Sequence, residues 1–118
     1  MKIKFISILA AFIILVLACS KKTETTNTVT TIDCTGITPK FSTDVSILIQ
    51  TSCATGSGCH GIGSTNAGGP LMNYTQIANK KIGIRNQVLN NLMPKGGSLT
   101  LAQKQTIVCW IDAGTLNN

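Results

Sequence analysis

Hydrophobic and polar positions divide the chain into three stretches. Phe5 to Ala18 is an almost unbroken apolar run behind Lys2 and Lys4. It is too short for a comfortable membrane span and has the form of a secretory leader. Ser20 to Asp33 is polar and rich in threonine, with Thr23, Thr25, Thr26, Thr28, Thr30 and Thr31. It has almost nothing to bury, which predicts a flexible tether. From Cys34 to Asn118 apolar positions return at regular intervals. The chain therefore divides into a leader (1–18), a tether (19–33) and one small folded domain (34–118).

Within the domain, Val45, Leu48 and Ile49 recur at helical spacing behind Ser42 or Thr43, either of which can serve as N-cap. This predicts a helix through about Thr51. Gly56 to Pro70 holds six glycines and predicts loop. Tyr74 to Lys80 and Asn86 to Leu92 predict short helices. Thr100 and Gln103 form a capping-box pair that opens a last helix running to about Ala113 and stopped by Gly114. Leu101, Val108 and Ile111 give that helix an apolar face, with Ile107 and Trp110 beside it. No stretch carries a convincing strand pattern, so the expected class is all-α.

Composition sharpens this picture. Beyond the leader the aromatics are only Phe41, Tyr74 and Trp110, so something else is expected to help fill the core. A domain of this size often needs a staple or a cofactor. The formal charge of the chain is +6, with Lys2 and Lys4 in the leader and Lys21 and Lys22 in the tether, where they can meet an anionic membrane surface. The remaining bases are scattered and form no basic stripe with aromatics interleaved, which speaks against nucleic acid as a partner. The leader ends in Val16-Leu17-Ala18-Cys19, which resembles a bacterial lipobox. That resemblance implies cleavage before Cys19 and lipidation of that residue.

Lipidation of Cys19 leaves Cys34, Cys53, Cys59 and Cys109 of the five cysteines. An even number in an exported chain suggests paired use: two disulfides, or one disulfide and one cofactor held through two thioethers. His60, the sole histidine, directly follows Cys59. In c-type haem attachment two cysteine sulfurs add to the two vinyl groups and the next residue, a histidine, becomes the proximal iron ligand. The usual spacing is C-x-x-C-H; here it is C-x5-C-H, with Ala54-Thr55-Gly56-Ser57-Gly58 between. A longer loop must bulge outward, and small residues with two glycines make that easier. The alternatives are a Cys53–Cys59 disulfide, which gives His60 no role; zinc, which needs about four ligands; blue copper, which uses two histidines; and a catalytic Cys-His pair, which lacks a third group. Downstream, Met93 stands before Pro94 and Gly96-Gly97, at the end of an element, where its thioether can be offered to an iron. Plain core packing is the other reading of Met93, and Met72 is its rival as a ligand.

"CHGIG", "GGPLMNY", "LMPKGG" and "LTLAQKQTIVCWIDAGTLNN", in this order, resemble a small class I cytochrome c domain of bacterial exported lipoproteins over about Phe41 to Asn118. The resemblance implies one covalent haem c held by Cys53 and Cys59, with His60 proximal and Met93 distal. It implies that the carbonyl of Pro70, in "GGPL", accepts from the His60 ring. It implies that the first and last helices cross and pack, bringing Cys34 and Cys109, the thiols left over by lipid and haem, together as a disulfide. The function it implies is single-electron transfer to redox partner proteins of an exported chain. A lipid anchor would hold the protein to the cell envelope, on the periplasmic side or at the outer membrane. The readings beside it are a disulfide-stapled lipoprotein acting as a binding module, and a haem enzyme. The last would want an open distal site and a second acid–base group.

Overall fold

The structure is a computed structural model that describes residues 31–118. The leader, the lipidation candidate Cys19 and most of the tether lie outside the described residues. Among these, every regular element is a helix and none is a strand. A π-helical turn, Phe41–Val45, runs directly into α1, Ser46–Ser52. Helices α2, Tyr74–Asn79, and α3, Lys81–Leu89, are separated by Lys80 alone. Helix α4 spans Leu101–Asp112.

Each boundary has a local cause. Asn73 caps α2 by accepting from the Gln76 N–H. Thr100 and Gln103 form the reciprocal capping box that opens α4. Two helices close with the same hydrogen-bond wrap. At the end of α3, Leu92 N–H reaches the Gln87 carbonyl and Asn91 N–H the Val88 carbonyl. At the end of α4, Thr115 N–H reaches Trp110 and Gly114 N–H reaches Ile111. Asn91 and Gly114 take the left-handed conformation such a wrap needs, with φ 56° and 101°.

Three expectations shift. The third helix occupies Lys81–Leu89 rather than Asn86 to Leu92, because Asn91 turns left-handed and ends it early. The first helix starts at Phe41, not behind a Ser42 or Thr43 cap. Its opening N–H groups are satisfied from the far end of the chain: Phe41 N–H donates to the Asn118 side-chain oxygen and Ser42 N–H to the Asn118 carbonyl, both at 2.9 Å. Leu101 is 65% exposed; it sits in the first turn of α4, and Leu99, just before the cap, takes the buried place.

The core joins the first helix, α2, α3 and α4 through Val45, Ile49, Ile77, Val88, Ile107, Val108 and Trp110, all essentially sealed from water. The three aromatics form one cluster. The Phe41 ring meets Tyr74 edge-on at 5.1 Å and Trp110 at 5.5 Å. Such pairs add to what burial alone contributes. Their polar ends are satisfied by the C-terminal segment, Tyr74 Oη donating to Thr115 and Trp110 Nε1 to Leu116. A disulfide joins Cys34, ahead of the first helix, to buried Cys109 in α4. Ile32 packs against the same core, and Asp33 accepts from Gln105 through its carbonyl, so the segment before Cys34 is tied to α4 as well. On the outer side, Arg85 of α3 and Asp112 of α4 form a two-pronged ion pair.

Candidate functional site

Cys53 lies where α1 ends, its N–H still bonded to the Ile49 carbonyl at 2.8 Å. The chain then leaves the helix, makes a loop and returns: His60 N–H donates to the Cys53 carbonyl at 2.9 Å. Inside the loop Cys59 N–H and Gly61 N–H both donate to the Gly56 carbonyl, at 3.0 and 2.8 Å. The crossing is so close that a Cβ on Gly61 would fall 2.8 Å from backbone atoms of Gly56, nearer than side chains tolerate. The spacer Ala54 to Gly58 therefore bulges as a closed loop, and Cys53 and His60 remain neighbours.

The following segment locks that turn. Asn66 Nδ2 donates to the carbonyls of Gly58 and Cys59 at 2.7 and 2.9 Å, and Ser64 Oγ also donates to Cys59. The His60 carbonyl accepts from Leu71 N–H at 2.8 Å. On the ring, Nδ1 lies 2.9 Å from the carbonyl oxygen of Gly69. A carbonyl can only accept, so Nδ1 is the donor, the tautomer that in a neutral ring leaves Nε2 available to a ligand. The expected partner was the carbonyl of Pro70, one residue on. The correction has a simple origin. Leu71 N–H is fixed on His60, and in the trans peptide that it shares with Pro70 the carbonyl points the opposite way. The Pro70 carbonyl therefore faces away from His60, and the Gly69 carbonyl takes the ring.

Met93 follows the left-handed turn at Asn91, its N–H weakly bonded to Gln87 at 3.4 Å. It is half-buried and faces the loop just described across two adjoining cavities, of about 390 and 230 Å³. The larger is on the scale of cofactor sites. Cys53, His60, Ala67 and Met93 line both; Cys59 lines only the smaller. The larger opens between α1, α2 and α3 against Ile49, Leu71, Ile84 and Val88 and is largely apolar. Met72, the rival thioether, lines neither cavity; its N–H donates to Gln76.

Cys53 and Cys59 are both free thiols, unlike the bonded pair Cys34 and Cys109. Burial, and secondarily the nearby Cys59 sulfur, push the Cys53 thiol above its ordinary value. Among the described residues no three His, Cys, Asp or Glu side chains gather as a metal cage. The donor set around the smaller cavity is one imidazole, one thioether and two free thiols. That set fits a haem, whose porphyrin brings its own equatorial nitrogens and whose flat, apolar ring suits the larger cavity.

The structure thus brings Cys53, Cys59, His60 and Met93 to one place and leaves Pro70 just outside it. Sequence reasoning missed Gly61, Ser64, Asn66 and Gly69. Their only signal was a Gly- and Ser-rich run read as loop. Compared with known proteins, the chain matches no family model, no curated protein and no solved structure.

Proposed function

We propose that the protein is a class I cytochrome c-like electron carrier, with one haem bound covalently through Cys53 and Cys59 and ligated by His60 and Met93. The observation that carries this reading is a single cavity lined by all four of these side chains. When bound, such a haem supplies a reversible one-electron iron couple. The chain does the rest. Cys53 and Cys59 hold the group through two thioether bonds. Gly69 fixes the His60 ring and raises its basicity by accepting from Nδ1. Met93 would supply a second, soft donor to the iron, one that favours the ferrous state and raises the potential. The apolar walls at Ile49, Leu71, Ile84 and Val88 keep water from the ring and lower the reorganisation that accompanies each electron.

If His60 and Met93 both held the iron, oxygen or peroxide would find no open metal site, which suits a carrier rather than a peroxidase. A lipid on Cys19 with the threonine-rich tether would keep the domain close to membrane-bound redox partners in the cell envelope.

Expression of the full chain in a host able to export and attach haem tests the reading. We expect a red protein whose haem stays with the polypeptide on denaturation and whose iron titrates reversibly with one electron. A colourless product, with Cys53 and Cys59 joined to each other or left free, would overturn it in favour of a disulfide-stapled binding module.

A further inference from the structure

We propose that Lys80 binds a carboxylate of the cofactor and so fixes which way round the cofactor lies; this rests on the haem reading above. A haem carries its two vinyl groups on one side of the macrocycle and its two propionates on the other. The cysteine sulfurs mark the vinyl side. Cys53 lines both cavities and Cys59 only the smaller, so a haem held by both sulfurs would have its propionate side toward the part of the larger cavity away from Cys59.

The junction of α2 and α3, at Asn79, Lys80, Ile82 and Gly83, lines the larger cavity and not the smaller one that Cys59 lines. Ionised carboxylates entering a mainly apolar cavity need a charged or hydrogen-bonding partner. Lys80 is the one cation lining the larger cavity, with the amides of Asn79 and Gln87 as the neutral donors beside it. Its backbone is pinned: Lys80 N–H donates to Ile77 at 3.0 Å, and its carbonyl accepts from Ile84 at 2.9 Å. The residue is exposed while it lines the cavity, so it stands at the mouth rather than deep inside.

The acids are committed elsewhere. Among the described residues Asp112 pairs with Arg85, Asp44 accepts from Lys40 N–H and Asp33 from Thr35 N–H. No acidic side chain lines either cavity, and Lys80 makes no ion pair among the described residues. The remaining cation at the site, Lys95, lines the smaller cavity beside Cys59, on the vinyl side. The two lysines therefore discriminate between the two orientations of the cofactor.

The test uses the purified, haem-loaded protein with no partner present, so that a carboxylate supplied by another protein cannot contribute. Resonance Raman spectroscopy reads the propionate bending mode, which moves to lower frequency when a hydrogen bond to the carboxylate is lost. We expect Lys80→Gln to lower that mode, Lys80→Arg to leave it near the wild-type position, and Lys95→Gln not to move it. The reduction potential should fall in Lys80→Gln, since losing a nearby cation favours the more positive ferric state. If Lys95→Gln moves the mode and Lys80→Gln does not, the cofactor lies the other way round and the proposal is overturned; if neither moves it, the proposal falls as well. Protein that carries no covalent haem would overturn this proposal together with the haem reading. Haem-loaded protein with an unmoved mode overturns the Lys80 assignment alone.

Discussion

The N–H of His60 donates to the carbonyl of Cys53 at 2.9 Å, so the imidazole and the first cysteine stay side by side however long the chain between them. The five-residue spacer is thereby reduced to an outward bulge, and its weak point is where the bulge crosses itself at Gly56 and Gly61. Gly61→Ala drives a Cβ to 2.8 Å from backbone that cannot swing aside. The expected cost is roughly 1–3 kcal/mol, the range for forced overpacking. Gly58→Ala is the control, because a Cβ there meets no atom within 4 Å. Urea unfolding of the two variants, with mass spectrometry to count haem bonds, checks this. Equal stability in both would mean that the crossing does not hold the turn.

Gly83 presents the opposite case. It stands inside α3, where glycine costs about 0.5–1 kcal/mol relative to alanine. Nothing lies within 4 Å of a Cβ built there, because the residue faces the larger cavity. Gly83→Ala is therefore expected to stabilise the polypeptide without haem by up to about 1 kcal/mol. In the haem-loaded protein the added methyl competes with the ring for space, and the gain should vanish or reverse. Melting curves with and without the cofactor give the two signs; the same gain in both would show that the cavity wall at Gly83 touches nothing.

The Cys34–Cys109 disulfide closes a loop with a sequence separation of 75 residues. On the chain-entropy model such a cross-link contributes about 4 kcal/mol. Replacing both cysteines with serine should lower the urea midpoint accordingly while leaving the haem content unchanged, since neither residue lines the cavities. Titration of the unfolded, unreduced, haem-loaded protein with a thiol reagent should find no free thiol. Two reactive thiols would refute the pairing.

Helix ends that depend on neighbouring residues were legible in the sequence: the Thr100–Gln103 box and the Gly114 stop both occur as the pattern predicts. Ends that depend on distant residues or on backbone handedness were not. The cap on the first helix comes from Asn118, at the other end of the domain, and no local pattern announces it. Asn91 ends α3 by turning left-handed, a choice that asparagine tolerates but does not signal. The site divides in the same way. Residue types with distinctive chemistry, Cys53, Cys59, His60 and Met93, stand out at their spacing. The groups that hold them, the Gly69 carbonyl and the amide of Asn66, act through backbone direction, which a sequence does not display.

Before haem attachment, burial raises the Cys53 thiol, and the neighbouring Cys59 sulfur adds to the shift. The unfolded chain gives up the Cys53 proton near the ordinary thiol value of about 8.5, while the folded chain holds it to higher pH. The stability that this contributes is complete below the unfolded value and is lost as pH rises through the folded one. Haem-free protein should therefore weaken on the alkaline side, and Cys53→Ser should flatten that decline. Urea midpoints at neutral and alkaline pH decide; an unchanged alkaline slope in the variant would assign the loss to another group.

Met93 carries the distinction between a carrier and an enzyme. It sits half-buried beyond the turn at Asn91 and lines both cavities together with His60, whereas Met72 lines neither. If Met93 fills the distal position, Met93→Ala leaves the iron with one axial protein ligand. The potential should then fall, because the soft thioether no longer favours the ferrous state. Carbon monoxide, which needs an open position, should bind the reduced variant and not the wild type. Met72→Ala should alter neither property, since that thioether is outside the site and only its N–H is engaged, with Gln76. Both variants remove a half-buried side chain, so a loss of stability common to the two reports packing alone, while carbon monoxide binding confined to Met93→Ala reports ligation. Ready binding by the wild-type protein would mean that Met93 does not close the iron, and the haem-enzyme reading would take the place of the carrier.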